Sequence, residues 1–235
     1  MENNKKYNAI IIGATGAVGR ELIDILLESN KYSNITIFVR RIIDRWVNLP
    51  EDKKNILKII KCDNLDFLSL SKEEIIKKYS ELNTQYDVLF NTLGSRVGRG
   101  DEEFKKVDYT YVVNSAILCE KLNIPHFSHC SAANADKSSW FLYCRVKGEA
   151  EEEESKKNIN YISIFRPGII LDRDNDSRLG ESIIAYVPFL PKISSKNIAK
   201  SMFLDDIAYQ SKGKNEEKIV KKISNSDMLE LIKNK

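Results

Sequence analysis

Two side chains four residues apart, Tyr143 and Lys147, form a Y-x-x-x-K pattern. On a helix this spacing puts a phenol and an ammonium on one face. Such a pair suits proton donation to a carbonyl oxygen that is receiving hydride. An isolated tyrosine, with a pKa of about 10, is poorly matched to neutral pH. A neighbouring ammonium favours the phenolate and lowers that value. The pattern is common on ordinary helix surfaces, so it gains meaning only from its surroundings. Twelve residues upstream, at the end of an apolar run, Ser131 offers a hydroxyl that can orient the same oxygen. Ser128 and the Ser138-Ser139 pair are competing hydroxyls.

A second constellation lies near the start of the chain. Gly13-Ala14-Thr15-Gly16-Ala17-Val18-Gly19 follows the apolar run Ala9–Ile12 and precedes a stretch of helical period. Glycines at G-x-x-G-x-x-G allow a tight turn and a close backbone approach to a pyrophosphate. The helix that follows turns free N–H groups toward those phosphates. An ordinary glycine-rich turn is the plain alternative. The pair Arg40-Arg41 begins 21 residues after Gly19, at the end of the next apolar run, where a 2′-phosphate or the ribose hydroxyls would be read. Two guanidiniums suit the phosphate, which points to NADP(H); solvated surface arginines are the competing reading. Asp63 is a candidate partner for an adenine amino group, or a plain turn aspartate. Asn91-Thr92-Leu93-Gly94 and Arg166-Pro167-Gly168 end two further apolar runs and are placed to line the same crevice, with Leu93, Gly94, Arg166, Pro167 and Gly168 as cofactor-binding candidates.

The elements that must hold these residues are legible as an alternation. Strands are expected at Asn8–Ile12, Ile35–Val39, Leu57–Ile60, Val88–Asn91, His126–Cys130 and Tyr161–Phe165. Helices are expected at Val18–Ser29, Lys72–Leu82, Glu103–Leu122 and Trp140–Lys156, the second opened by a capping box at Ser71 and Glu74. Strands alternating with helices imply an α/β fold, a doubly wound parallel sheet of Rossmann type. A helical pattern at Asn197–Tyr209, a short strand near Lys218–Ile223 and a last helix after Ser226 follow. The expectation is one NAD(P)-binding domain over 1–235, with 169–235 forming a small substrate-side cap and C-terminal helix.

The 235 residues, 42% hydrophobic and 30% charged, exclude collagen-like and wholly disordered classes. A net charge of +3 gives no reason to expect a nucleic-acid partner. The four cysteines, Cys62, Cys119, Cys130 and Cys144, include no C-x-x-C pair and read as reduced thiols. No stretch reaches the roughly 18 apolar residues of a spanning helix. A cytoplasmic protein is expected, with peripheral membrane or nuclear association left open.

Several features invite a functional reading that the residue pattern does not favour. Glu149 and Glu151–Glu154 look like a solvated acidic face. His126 and His129 face opposite sides of a strand and so do not share a ligand; no metal site is expected. Cys144 reads as packed, and Trp46 and Trp140 as packing residues, with Trp140 near enough to Tyr143 to wall a pocket. The lysines Lys214, Lys218, Lys221 and Lys222 serve solubility or an acidic partner equally well.

Taken together, these residues resemble the short-chain dehydrogenase/reductase superfamily, in its extended or atypical branch, and within it the Tat-interacting-protein oxidoreductase (CC3-like) family. The resemblance rests on Ile12–Arg20, Val39-Arg40-Arg41, Leu93-Gly94-Ser95-Arg96, Ala135–Ser139, Phe141-Leu142-Tyr143, Val146–Glu149, Phe165–Gly168, Arg173 and Ser177–Glu181. It covers Asn8 to Pro191 and fades beyond. It implies an NADPH-binding fold with Ser131, Tyr143 and Lys147 as catalytic residues and, since the family's substrate is poorly defined, regulation through a protein partner as well; the glycine loop, arginine pair and Tyr–Lys spacing, in that order, lead to reduction of a small carbonyl substrate by a monomer or homodimer. Ala132-Ala133-Asn134 departs from the family's more polar run, so substrate preference does not carry over. Two other readings stand beside carbonyl reduction. One is an NADPH-binding regulator that senses redox state through protein contacts. The other is a nucleotide-sugar epimerase, against which the arginine pair and the short C-terminal region both argue.

Overall fold

The computed structural model describes residues 5–95, 100–172, 191–213 and 217–234. Arg96, Arg173, the Ser177–Glu181 run, Lys214 and residues 183–190 of the apolar stretch before Pro191 lie outside them. The six expected strands form at β1 (Tyr7–Ile12), β2 (Tyr32–Val39), β3 (Leu57–Lys61), β4 (Val88–Asn91), β5 (His126–Cys130) and β6 (Tyr161–Arg166). The central strands are buried almost throughout, as a sheet covered on both faces requires. Beyond a two-residue ladder, β7 (Ile169–Ile170) with β8 (Lys192–Ile193), a further strand β9 (Ile219–Ser224) joins the main sheet. The order is β3-β2-β1-β4-β5-β6-β9, and every pairing is parallel. Strand order reverses between β1 and β4, and ligands of such sheets bind beyond the strand ends at that switch.

Helix α1 (Ala17–Glu28) presents Leu22, Ile23, Leu26 and Leu27 to one face of the sheet. Two single-turn helices, α2 (Asp44–Val47) and α3 (Glu51–Lys54), precede β3. The opposite face is covered by α4 (Lys72–Lys78), by a composite helix, and by α7 (Leu142–Ser155). Ser71 and Glu74 cap α4 reciprocally, as their spacing predicts. The composite helix differs from the single element expected over Glu103–Leu122. Helix α5 (Asp101–Lys105) passes through a π-helical turn (Lys106–Thr110) before α6 (Tyr111–Lys121). A π turn holds one extra residue per turn, and hydrophobic period alone does not reveal it.

The C-terminal region departs from the expected cap. Helix α8 (Ser195–Lys212) packs along α1, and β9 leads into α9 (Asn225–Lys233), which packs on α8. Ser195–Lys233 therefore belongs to the main body, because Ile198, Met202, Ile223 and Met228 complete the apolar layer that α1 begins. Lys221 and Lys222 leave β9 toward opposite faces, one to Asp205 on α8 and the other to Glu151 on α7. They are structural pairs as well as surface charges. Behind α8, Asp206 accepts from the Tyr32 hydroxyl and lies 2.7 Å from His126 Nδ1, while His126 Nε2 is 2.8 Å from Ser163 Oγ. This chain has the order of a catalytic triad, but all three members are fully buried and act as a core tether. His129 points the other way, to Glu154 on α7, so the two rings do lie on opposite faces.

Candidate active site

The first wall of the crevice is the turn between β1 and α1. Gly13 has φ +88° and its carbonyl accepts from Gly16 N–H at 3.0 Å. A Cβ on Gly13 would stand 2.7 Å from the Thr92 carbonyl carbon, and one on Gly19 would stand 2.4 Å from Gly13 O. Those two glycines thus let the loop press against the end of β4, where Thr92 Oγ1 donates to Ile12 O and Gly13 O. No side chain caps α1: Gly16 is its N-cap, so the helix mouth stays open toward the crevice. A cavity of about 290 Å³ begins there, lined on this side by Thr15, Gly16, Ala17 and Val18.

Arg41, Leu93 and Gly94 line the cavity as their sequence positions suggest, and so does Arg20, which the motif reading left unassigned. Five expected contributors beyond the glycine turn lie outside the lining. Arg40 and Asp63 are exposed and outside the lining; both act electrostatically on the Cys62 thiol, whose pKa burial raises first. Arg166 turns away to Glu151, and Gly168 packs its backbone against Pro191, where a Cβ would lie 1.9 Å from the carbonyl oxygen. Pro167 is buried, and its carbonyl accepts from Ala133 N–H, pinning the segment after Ser131.

The far wall carries Ser131, Tyr143 and Lys147, with Cys130, Ser95 and Asp108 beside them. Tyr143 and Lys147 share one face of α7, and the Tyr143 ring stacks on Phe104 at 5.8 Å. Gly148 lets α7 approach the preceding loop: a Cβ there would lie 2.2 Å from Lys137 N. Of the competing hydroxyls, Ser128 is buried away from the cavity and Ser138 is bound to Asp136, leaving Ser131 in the crevice.

Lys147 is 3% exposed, and its Nζ lies 2.8 Å from Asp108 Oδ1. Burial is the largest influence and by itself would lower the lysine pKa; the Asp108 charge, Tyr143, the Asp108 hydrogen bond and Cys130 together outweigh it, and the ammonium is held above the ordinary lysine value. Asp108 is fully buried on the π turn, and its other oxygen accepts from Ser95 N–H at 2.8 Å and Ser95 Oγ at 2.6 Å. Sequence reasoning missed Asp108 because nothing in the local pattern marks the π turn that aims it inward.

Two readings of α7 are corrected. Glu151 and Glu154 are buried, whereas Glu152 and Glu153 are half-exposed. Lys147, Glu151 and Glu154 recur at four and three residues and share the sheet-facing side, a signal hidden inside the glutamate run. Burial raises the Glu154 carboxyl pKa, and His129 pulls it back. Trp140 is 95% exposed, so it is no packing residue; Arg145 donates to the carbonyls of Ser139 and Trp140 and fixes this turn outward. Trp46, by contrast, is buried. The four cysteines form no disulfide, and the half-buried Cys144 has its pKa raised mainly by burial. Among the described residues no helix is long and apolar enough to cross a membrane, and no cluster of metal-ligating side chains is found.

An uncapped helix mouth, glycines whose Cβ atoms would clash, and an arginine at the end of β2 fit a phosphate-bearing dinucleotide. Fold and crevice together define a dinucleotide-binding protein of the Rossmann class. Comparison with known proteins narrows this. A model of the NAD(P)H-binding family matches residues 13–203. Protein HTATIP2 of Rattus norvegicus is 34% identical over 182 residues, covering 77% of this chain and 69% of that protein. Protein FMP52, mitochondrial, of Candida albicans is 30% identical over 177 residues, covering 75% and 73%.

The chain belongs to the NAD(P)H-binding family, in the atypical, HTATIP2-like branch of the short-chain dehydrogenase/reductases. Solved structures share the fold at low identity. MoeE5 in complex with UDP-glucose and NAD has a TM-score of 0.64 at 12% identity, covering 92% of this chain and 75% of that one. UDP-N-acetylglucosamine 4-epimerase from Methanobrevibacter ruminantium M1 has 0.64 at 16%, covering 93% and 76%. The expectation of a cytoplasmic protein is overturned by the mitochondrial names of the FMP52 relatives from Candida albicans, Debaryomyces hansenii and Aspergillus niger.

Proposed function

We propose that this protein is a single-domain, NADPH-dependent oxidoreductase that reduces a small carbonyl compound. The observation that carries the reading is the convergence of Ser131, Tyr143 and Lys147 on the cavity that opens at the mouth of α1. Bound NADPH supplies the hydride. Tyr143 donates its phenolic proton to the carbonyl oxygen, and the Lys147 ammonium stabilises the negative charge that develops on the phenolic oxygen. Asp108 holds that ammonium in place. Ser131 lies against the reacting oxygen and fixes its position. Arg41, at the end of β2, favours the phosphorylated cofactor over NAD. The mitochondrial names of the FMP52 relatives support that compartment as the site of action, which fractionation would test.

The test is NADPH consumption against a panel of aldehydes and ketones with wild type and Tyr143→Phe. The expected loss in the variant is about 10²- to 10⁴-fold in kcat. Unchanged turnover removes Tyr143 from its role. Tight NADPH binding with no carbonyl consumed by wild type favours a regulator that responds to its cofactor through protein contacts.

A further inference from the structure

We propose that a groove between α7, β6 and β9 is a second binding site, for a small molecule that carries two or more carboxylate or phosphate groups. The proposal does not depend on the chemistry of the crevice. β9 is the last strand of the sheet, and α7 leaves part of its face open: Val220, on the same face as Lys222, is 40% exposed. The resulting cavity, about 560 Å³, is of ligand size. It lies behind the far wall of the crevice, and the Glu151 carboxylate joins the two. Ser131 Oγ stands 2.7 Å from Glu151 Oε1 on the crevice side, and Arg166 Nε stands 3.0 Å from the same oxygen on the groove side.

The charges of the groove are layered. Glu151 forms its floor, 1% exposed and already met by Ser131, Arg166 and Lys222. Asp136 turns Oδ1 to Ser138, accepting from its N–H at 2.9 Å and its Oγ at 2.6 Å. Nearer solvent stand the ammonium groups of Lys137, Lys156 and Lys222, whose side chains are 60%, 57% and 52% exposed. Lys137 and Lys156 share Glu152, at 2.8 Å and 3.9 Å, and Lys156 also reaches Glu153 at 2.7 Å. Lys218 adds a further cation beside Ser155, held there by a neutral partner, the Ser155 carbonyl, at 2.7 Å. Exposed ion pairs are worth little, so an incoming anion can draw these lysines from their glutamates at small cost. The groove therefore presents positive charge to a ligand. That charge comes from a loop, a helix and a strand, an arrangement that matches several anionic groups on one molecule rather than a single ion.

The test is a titration of the full chain, in the presence of NADPH, with citrate and separately with inorganic pyrophosphate. Ionic strength is held constant so that screening does not change, and backbone amides are followed by NMR. One of the two should give saturable shifts at Ala135–Lys137, Glu151–Lys156 and Lys222, half-complete at about 1 mM or below. The tighter probe tells carboxylate from phosphate. Lys137→Gln with Lys156→Gln removes only exposed pairs, so the fold is kept, and it should weaken binding about tenfold or more. Lys222→Gln should weaken it independently, whereas Arg41→Gln, in the crevice, should not. Shifts that stay linear for both probes, that saturate elsewhere on the chain, or that are unchanged in the double variant overturn the proposal.

Discussion

Replacing Asp108 with asparagine is the most informative single perturbation of the site. The side chain keeps an oxygen for Ser95 N–H and Oγ but leaves the Lys147 ammonium, 3% exposed, without its counter-charge. Removing one partner of a buried ion pair costs about 3–5 kcal/mol. For a chain of this length each kcal/mol moves Tm by about 2–4 °C, so Asp108→Asn should melt about 6–20 °C lower. The pH dependence gives the claim its sign. In wild type the folded Lys147 pKa is raised, so the pair's contribution is complete below the unfolded lysine value near 10.4. It is lost only as pH climbs beyond that. Without Asp108, burial dominates and the folded pKa falls below 10.4, so the variant gains stability as pH rises toward that value. Denaturant titrations from neutral to mildly alkaline pH should show the two curves converging. Lys147→Met with Asp108→Leu should recover much of the loss, since apolar residues replace buried pairs at little cost. A variant within about 1 kcal/mol of wild type, with a pH-independent difference, would refute the account.

Gly19→Ala should abolish tight dinucleotide binding in a fluorescence titration, because its Cβ would meet Gly13 O at 2.4 Å. Gly16→Ala, with its nearest contact at 3.3 Å, should be milder. Gly148→Ala should cost about 1–3 kcal/mol or more in denaturant unfolding, since the clash is with backbone on the facing loop. Arg41→Ala should weaken NADPH about 10- to 100-fold and leave NADH unchanged in the same titration, the value of one or two charge-assisted bonds. Trp140→Ala should leave stability within about 0.5 kcal/mol, because its ring packs against almost nothing.

The chain's own residue order determines the strands, the glycine turn and the Tyr143–Lys147 spacing, because each depends on contacts within a few residues. Period-two and period-3.6 patterns report which face is buried, and a glycine motif reports a backbone shape. The partners of those residues are a different matter. Asp108 reaches Lys147 across 39 positions of sequence through a π turn, and Ser131 reaches Glu151 across 20. Arg166 ends its strand as expected but is claimed by Glu151 before any ligand arrives. The C-terminal lysines reach carboxylates on both sheet faces only because β9 lies beside β6. Local pattern carries backbone conformation and burial. Which charge meets which is decided by packing, since a buried ion must find a partner wherever the fold brings one near.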